Sequence, residues 1–203
     1  MVINTPTFPP SQTSKWVPLK LSDVKYIILH HAQAIFATYE TINQWHLENG
    51  WAGIGYNEYI RKDGTVYIGR GDNIGAQCAG MNSVSYGICV EGNYEIETEM
   101  PEAQKLSLIA RIIENKRRFP NFKCVAPHSQ FVDTRCPGKN FGLVEILSRI
   151  EVTKLTVEES LKLQVELGVI NSPDYWRKVI DTTKNFDAYV INVGIRLAEL
   201  KNK

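Results

Sequence analysis

No apolar run in this sequence approaches the ~20 residues that a helix needs to cross a bilayer, so no helical membrane span is expected. Charge of one sign is also missing. There are 23 Lys and Arg against 22 Asp and Glu, a net charge of +1. That balance leaves no electrostatic footprint for nucleic acid. It also means that any grip on an anionic surface must come from a shaped site. The four cysteines, Cys78, Cys89, Cys124 and Cys136, show no tight paired spacing. In a reducing compartment they are expected as thiols, one or more available to a metal. Met1 to Pro10 lacks the basic start and apolar centre of a secretory signal, which predicts synthesis in the cytoplasm. Internal repeats and low-complexity segments are absent too. What is there is a chain of 203 residues, 43% hydrophobic and 22% charged. That suffices for one globular domain of ordinary size and a small second one.

Local signals divide the chain into elements. Pro6, Pro9, Pro10 and Pro18 forbid a continuous helix over residues 1–20 and predict an extended arm. Tyr26-Ile27-Ile28-Leu29 reads as a buried strand ending at His30-His31. Thr38 or Thr41 caps a helix that runs to about Asn49 and stops at Gly50. Residues 55–61 and 65–68 are strand-like and flank Asp63-Gly64, a hairpin signal. Tyr86 to Val90 reads as a further strand. Pro101 opens a helix with Leu106, Ile109, Ala110 and Ile113 at helical spacing, and Pro120 blocks its continuation. Cys124 to Pro127 is extended and leads to His128. After Cys136-Pro137-Gly138, a helix carries Leu143, Ile146, Leu147 and Ile150 on one face.

From about Thr153 the composition turns wholly helical. Thr156 and Glu159 form a capping box, and Gly168 ends that helix. Ser172-Pro173 starts a second helix, and Asn185 caps a third. Two units are therefore expected: residues 1–152, and a three-helix accessory module over residues 153–203, near the lower size limit for independent stability.

Three residues carry metal-binding chemistry. His30 ends a predicted strand, His128 follows another, and Cys136 lies eight residues later in a turn. Imidazole nitrogen and thiolate sulfur suit zinc, and three protein ligands leave a fourth position open for catalysis. The same residue types also suit two hydrogen-bonded core histidines and a small buried thiol. Scattered positions do not choose between these arrangements.

An ordered set of short motifs adds to this. It runs Ile28-Leu29-His30-His31, Gln44-Trp45-His46, Gly50-Trp51, Gly55-Tyr56-Asn57, then Arg61-Lys62-Asp63-Gly64-Thr65-Val66 and Gly69-Arg70. Gly75-Ala76, Gly80, Asn82-Ser83, Gly87-Ile88-Cys89, His128 and Cys136-Pro137-Gly138 follow. From Ile27 to Phe141 the chain resembles the zinc-dependent (type 2) amidases that include phage lysozyme-amidases and animal peptidoglycan recognition proteins. The resemblance implies an α/β fold, a mixed central β-sheet flanked by helices, with the site at strand ends on one face. It implies a Zn2+ held by His30, His128 and Cys136, and hydrolysis by zinc-activated water of the amide between N-acetylmuramic acid and L-alanine. Tyr56 and Thr134 take the catalytic positions, where polar groups hydrogen-bond the developing oxyanion.

The chain departs from the resemblance at two places. Gln77 replaces a histidine frequent in the family, and is expected to line the substrate groove. Cys89 falls near the position of a glutamate found in some relatives, and the register of Glu91 is open, so the general base is unassigned. Trp51 is expected either to stack on substrate or to pack in its loop. His31 is expected to orient a ligand or simply to end a strand, and His46 to be structural.

The expected function is that of a phage or prophage endolysin, made in the host cytoplasm and acting on the cell wall after release. Its partner is bacterial peptidoglycan, with no nucleic acid or membrane. The C-terminal helices are expected to bind the wall, cover the catalytic unit or drive homo-oligomerisation. The rivals are a non-catalytic peptidoglycan receptor and a structural zinc protein. Relatives that bind without cutting typically lack the cysteine ligand, so Cys136 favours the enzyme.

Overall fold

The computed structural model describes residues 1–152 and 157–182. Six strands form one mixed sheet: β1 (Ile3–Asn4), β2 (Tyr26–His31), β3 (Glu58–Ile60), β4 (Val66–Ile68), β5 (Ser85–Val90) and β6 (Cys124–Pro127). Their order is β1-β4-β3-β5-β2-β6. The β3–β4 pair is antiparallel and the rest are parallel. The helices are a single turn, α1 (Pro10–Thr13), then α2 (Tyr39–Glu48), α3 (Glu102–Arg118), α4 (Leu143–Val152), α5 (Val157–Glu166) and α6 (Pro173–Thr182). Among the described residues no helix is long and apolar enough to cross a membrane.

β2 explains its own apolar run. It lies between β5 and β6, and Ile27, Ile28 and Leu29 are all fully buried. A parallel strand covered on both faces has no polar side to show. Each such side chain contributes about 1.5–3 kcal/mol of burial. Neighbouring residues of a strand point to opposite faces. Tyr59 accordingly packs with Tyr39 and Ile42 of α2, while Glu58 meets Arg111 of α3. The two helices therefore cover opposite faces of the sheet.

Local signals place most elements. Thr38 caps α2, its hydroxyl accepting the Thr41 amide at 3.2 Å, and Gly50 follows at φ +79°. Asp63 turns the hairpin by accepting the Thr65 amide, with Gly64 at φ +84°. Two details differ from the sequence reading. The N-terminal arm is not merely extended: Ile3–Asn4 adds an edge strand beside β4, and Pro10 opens the turn of α1. In α3, Leu106 is half exposed, while Gln104, Lys105, Arg111 and Asn115 are buried with Leu108 and Ile112. The buried face of α3 is partly polar because Arg111 and Asn115 meet Glu58 beneath it, Gln104 Nε2 donates to the Ile60 and Glu91 carbonyls, and Lys105 pairs with Glu145.

The chain divides into two compact units, residues 1–146 and 147–203, so α4 begins in one and ends in the other. In the second unit Gly168 at φ +68° follows α5, and Pro173 opens α6. The predicted cap Thr156 and the third helix from Asn185 lie outside the described residues.

Candidate metal centre

The sheet register assembles the site. Leu29 pairs with Pro127, so His30 and His128 emerge side by side just beyond the end of β6. Their ring centroids are 4.4 Å apart. Cys136 is returned to this edge by a short loop. The Ser129 amide donates to the Cys136 carbonyl at 3.0 Å, tying the cysteine turn to the histidine turn. The Thr134 hydroxyl oxygen accepts the Cys136 amide at 3.2 Å and sets the turn. Gly138, at φ +96°, passes so close to the backbone of Tyr94 and Glu95 that a Cβ would lie 2.4 Å from the Tyr94 carbonyl carbon. Only glycine meets both demands. This packing is why residue 138, two after the cysteine, is glycine.

One ligand atom from each of His30, His128 and Cys136 falls within 4.8 Å of the others. The Cys136 sulfur is 3.7 Å from His30 Nδ1. Tetrahedral zinc with ordinary Zn–N and Zn–S distances needs about 3.5 Å between such atoms. The donor set and spacing therefore fit the ion. His30 is buried, while His128 and Cys136 are partly exposed, which leaves the cluster open on one side.

Electrostatics keep the imidazoles neutral. Burial, with the nearby His128, pulls the His30 pKa down to about 3, and burial also lowers that of His128. Burial pushes the Cys136 thiol up to about 11, opposed by a hydrogen bond from the His31 backbone amide. A bound dication reverses that preference and takes the thiolate. Tyr56 stands beside the cluster, its ring 5.1 Å from His30. Its hydroxyl lies near the Cys89 thiol, and burial, with that neighbour, raises its pKa well above the usual value.

Residues 20–139, which hold the whole cluster, match the family described as N-acetylmuramoyl-L-alanine amidase. The chain belongs to the N-acetylmuramoyl-L-alanine amidase family. The endolysin of Klebsiella phage KP32 is 34% identical over 120 residues, covering 55% of this chain and 79% of the relative. A solved amidase, LysC from Clostridium intestinale URNW, shares 32% identity at a TM-score of 0.65, over 73% of this chain and 97% of that one. Peptidoglycan recognition protein-LE, solved in complex with tracheal cytotoxin, a monomeric diaminopimelic acid-type peptidoglycan, is 27% identical at a TM-score of 0.56. That match covers 66% of this chain and 84% of that one. The expected family and its helix-flanked mixed sheet are thus borne out, and the chain is a peptidoglycan-hydrolase type of amidase.

The other candidates in this amidase fall at graded distances from the cluster. Trp51 is 43% exposed, with its ring 4.7 Å from His46, at the outer end of an aromatic row that continues through Tyr56 to His30. His46 is structural: Nδ1 accepts the Gly55 amide at 2.8 Å, holding the segment before Tyr56. His31 points to the other face, where Nδ1 accepts the Tyr94 amide at 3.0 Å. Gln77 packs against the cluster itself. It is 8% exposed, and its amide oxygen lies 2.5 Å from His30 Nε2. Glu91 is fully engaged elsewhere, accepting the Ala37 amide, the Lys62 amide and Arg61 Nε, so no proton-transfer role falls to it. The contact of Cys89 with Tyr56 was not foreseen from sequence. The pairing of β2 with β5, which sets Cys89 beside His30, brings it there, and no local signal in the sequence shows that pairing.

Proposed function

We propose that this amidase is zinc-dependent and cleaves the bond between N-acetylmuramic acid and the L-alanine of the stem peptide in bacterial peptidoglycan, as an endolysin. The observation that carries the reading is the meeting of His30, His128 and Cys136 beside Tyr56, within the family-matched segment. Bound zinc supplies Lewis acidity that polarises the scissile carbonyl and a water. His30 and His128 would hold it with neutral nitrogens, and Cys136 as a thiolate once the ion takes the place of its proton, the sulfur steadied by the His31 amide. Tyr56, beside His30, offers its hydroxyl proton to the carbonyl oxygen as charge develops there. Thr134 shapes the ligand turn and offers its hydroxyl proton to the same oxygen. Trp51 gives substrate an exposed aromatic face at the rim. Substrate approaches from the side left open by His128 and Cys136.

Similarity to a phage endolysin supports release onto the wall from inside the host. Residues 153–203 lie beyond the family match, and we assign them to an accessory module that holds the amidase on the wall.

Digestion of purified cell wall tests the central claim. New N-terminal alanine amines should appear, vanish on chelation and return with zinc. Elemental analysis should give one zinc per chain, lost in Cys136→Ser. Wall binding by a folded, zinc-loaded protein without amine release would instead favour the receptor reading.

A further inference from the structure

A chain of hydrogen bonds runs inward from the cluster, and its direction is fixed at the far end. The Met81 carbonyl can only accept. It takes the Ser85 hydroxyl proton at 2.8 Å. With its proton committed, Ser85 Oγ accepts from the Gln77 side-chain amide nitrogen, also at 2.8 Å. The Gln77 oxygen must then face His30 Nε2, 2.5 Å away. An amide oxygen only accepts, so Nε2 must carry the proton. The His30 lone pair is thereby left on Nδ1, the nitrogen that faces the Cys136 sulfur.

Gln77 is held firmly enough to enforce this. The amides of Gln77 and Cys78 both donate to Asn82 Oδ1 at 2.9 Å. The side chain lies flat over Gly87 of β5, where a Cβ would come within 2.6 Å of Gln77 Cγ. Gly87 is thus the space that Gln77 needs. Turning the amide over would set the Gln77 nitrogen against Nε2, strip Ser85 of its donor and put the His30 proton on Nδ1, where it blocks a metal.

We propose that Gln77 is a positioning residue that selects the His30 tautomer able to bind zinc through Nδ1, with Ser85 and the Met81 carbonyl setting its polarity. The proposal rests on the reading of His30 as a zinc ligand. Partners of this kind typically change metal affinity by about 10–100-fold when removed.

Zinc affinity, measured by competition with a chromogenic chelator, tests it in the full-length protein. Gln77→Met keeps the length of the side chain and loses both hydrogen bonds. Gln77→Glu keeps an acceptor for Nε2. The expected result is a 10–100-fold weaker affinity in Gln77→Met and near-parental affinity in Gln77→Glu. Ser85→Ala, which frees the amide to turn, should fall between them. Equal affinities in the Met and Glu variants would overturn the proposal. If Gln77→Met does not fold, nitrogen-15 NMR of the metal-free parent decides: a proton on Nε2 of His30 supports the proposal, and one on Nδ1 overturns it. No zinc binding by the parent would sink the metal assignment itself, a separate outcome.

Discussion

Replacing Arg111 with methionine should destabilise residues 1–146 by about 3–5 kcal/mol, the usual cost of leaving a buried charge without its partner. Glu58 is completely buried, and Arg111 is 5% exposed. The carboxylate accepts Arg111 Nε at 2.8 Å and Nη2 at 2.6 Å, Asn115 Nδ2 at 2.8 Å and the Tyr86 hydroxyl at 2.9 Å. Methionine fills much of the vacated space but leaves an anion between two neutral donors. The bond of Arg111 to Glu114 adds little, because Glu114 is 56% exposed and screened. Adding Glu58→Gln removes the orphaned charge, so the double variant should recover about 2 kcal/mol relative to Arg111→Met alone. Urea denaturation followed by tryptophan fluorescence reads this. Trp16, Trp45 and Trp51 report on the unit, and Trp176 is replaced by Phe in every protein compared. In a domain of this size each kcal/mol moves Tm by about 2–4 °C, so the single variant should melt roughly 6–20 °C lower. Because Glu58 and Arg111 meet on the α3 face of the sheet, whereas Tyr56 packs against the cluster of Tyr39, Ile42 and Tyr59 on the other, wall hydrolysis well below that transition should be nearly unchanged. A cost under about 1 kcal/mol, or a double variant no better than the single one, would refute the argument.

Tyr56→Phe should keep its zinc but lose on the order of 100-fold in turnover, measured as alanine amines released; unchanged turnover would reduce Tyr56 to a packing residue. His46 gives a pH prediction. Burial, then the charge of Arg70, lowers its folded pKa to about 4, against 6.5 when unfolded. The unfolded chain therefore gains a proton first as pH falls, and stability present above pH 6.5 is lost between there and 4, by at most about 1.4 kcal/mol per pH unit. Urea midpoints of parent and His46→Gln across that window should diverge in slope, and parallel slopes would disprove the assignment. Truncation after Val152 should leave a soluble, zinc-loaded amidase that sediments less on cell walls; an insoluble fragment would instead mark the C-terminal helices as a structural cover, and a changed solution mass with wall binding intact would mark them as an assembly module.

Features that act over a few neighbouring residues were readable directly. The helix cap, narrowed to Thr38 or Thr41, the stop at Gly50 and the Asp63-Gly64 turn each rest on one residue and the backbone beside it. The apolar run of β2 and the eight-residue step from His128 to Cys136 belong to the same class. What the chain could not declare is which distant segments become neighbours. Ile3–Asn4 is a strand only because β4 offers it an unpaired edge. Arg111 and Asn115 are buried in α3 because Glu58, more than forty residues earlier, lies under them. The motif gives no sign that Gln77 meets His30; the absence of a Cβ at Gly87 lets it lie flat and turn toward that ring. Residue types and spacing therefore determined the candidate ligands and the local elements. Only the register of β2 against β5 and β6 decided which atoms of those ligands meet, because pairing between distant strands is set by the packing of the whole sheet.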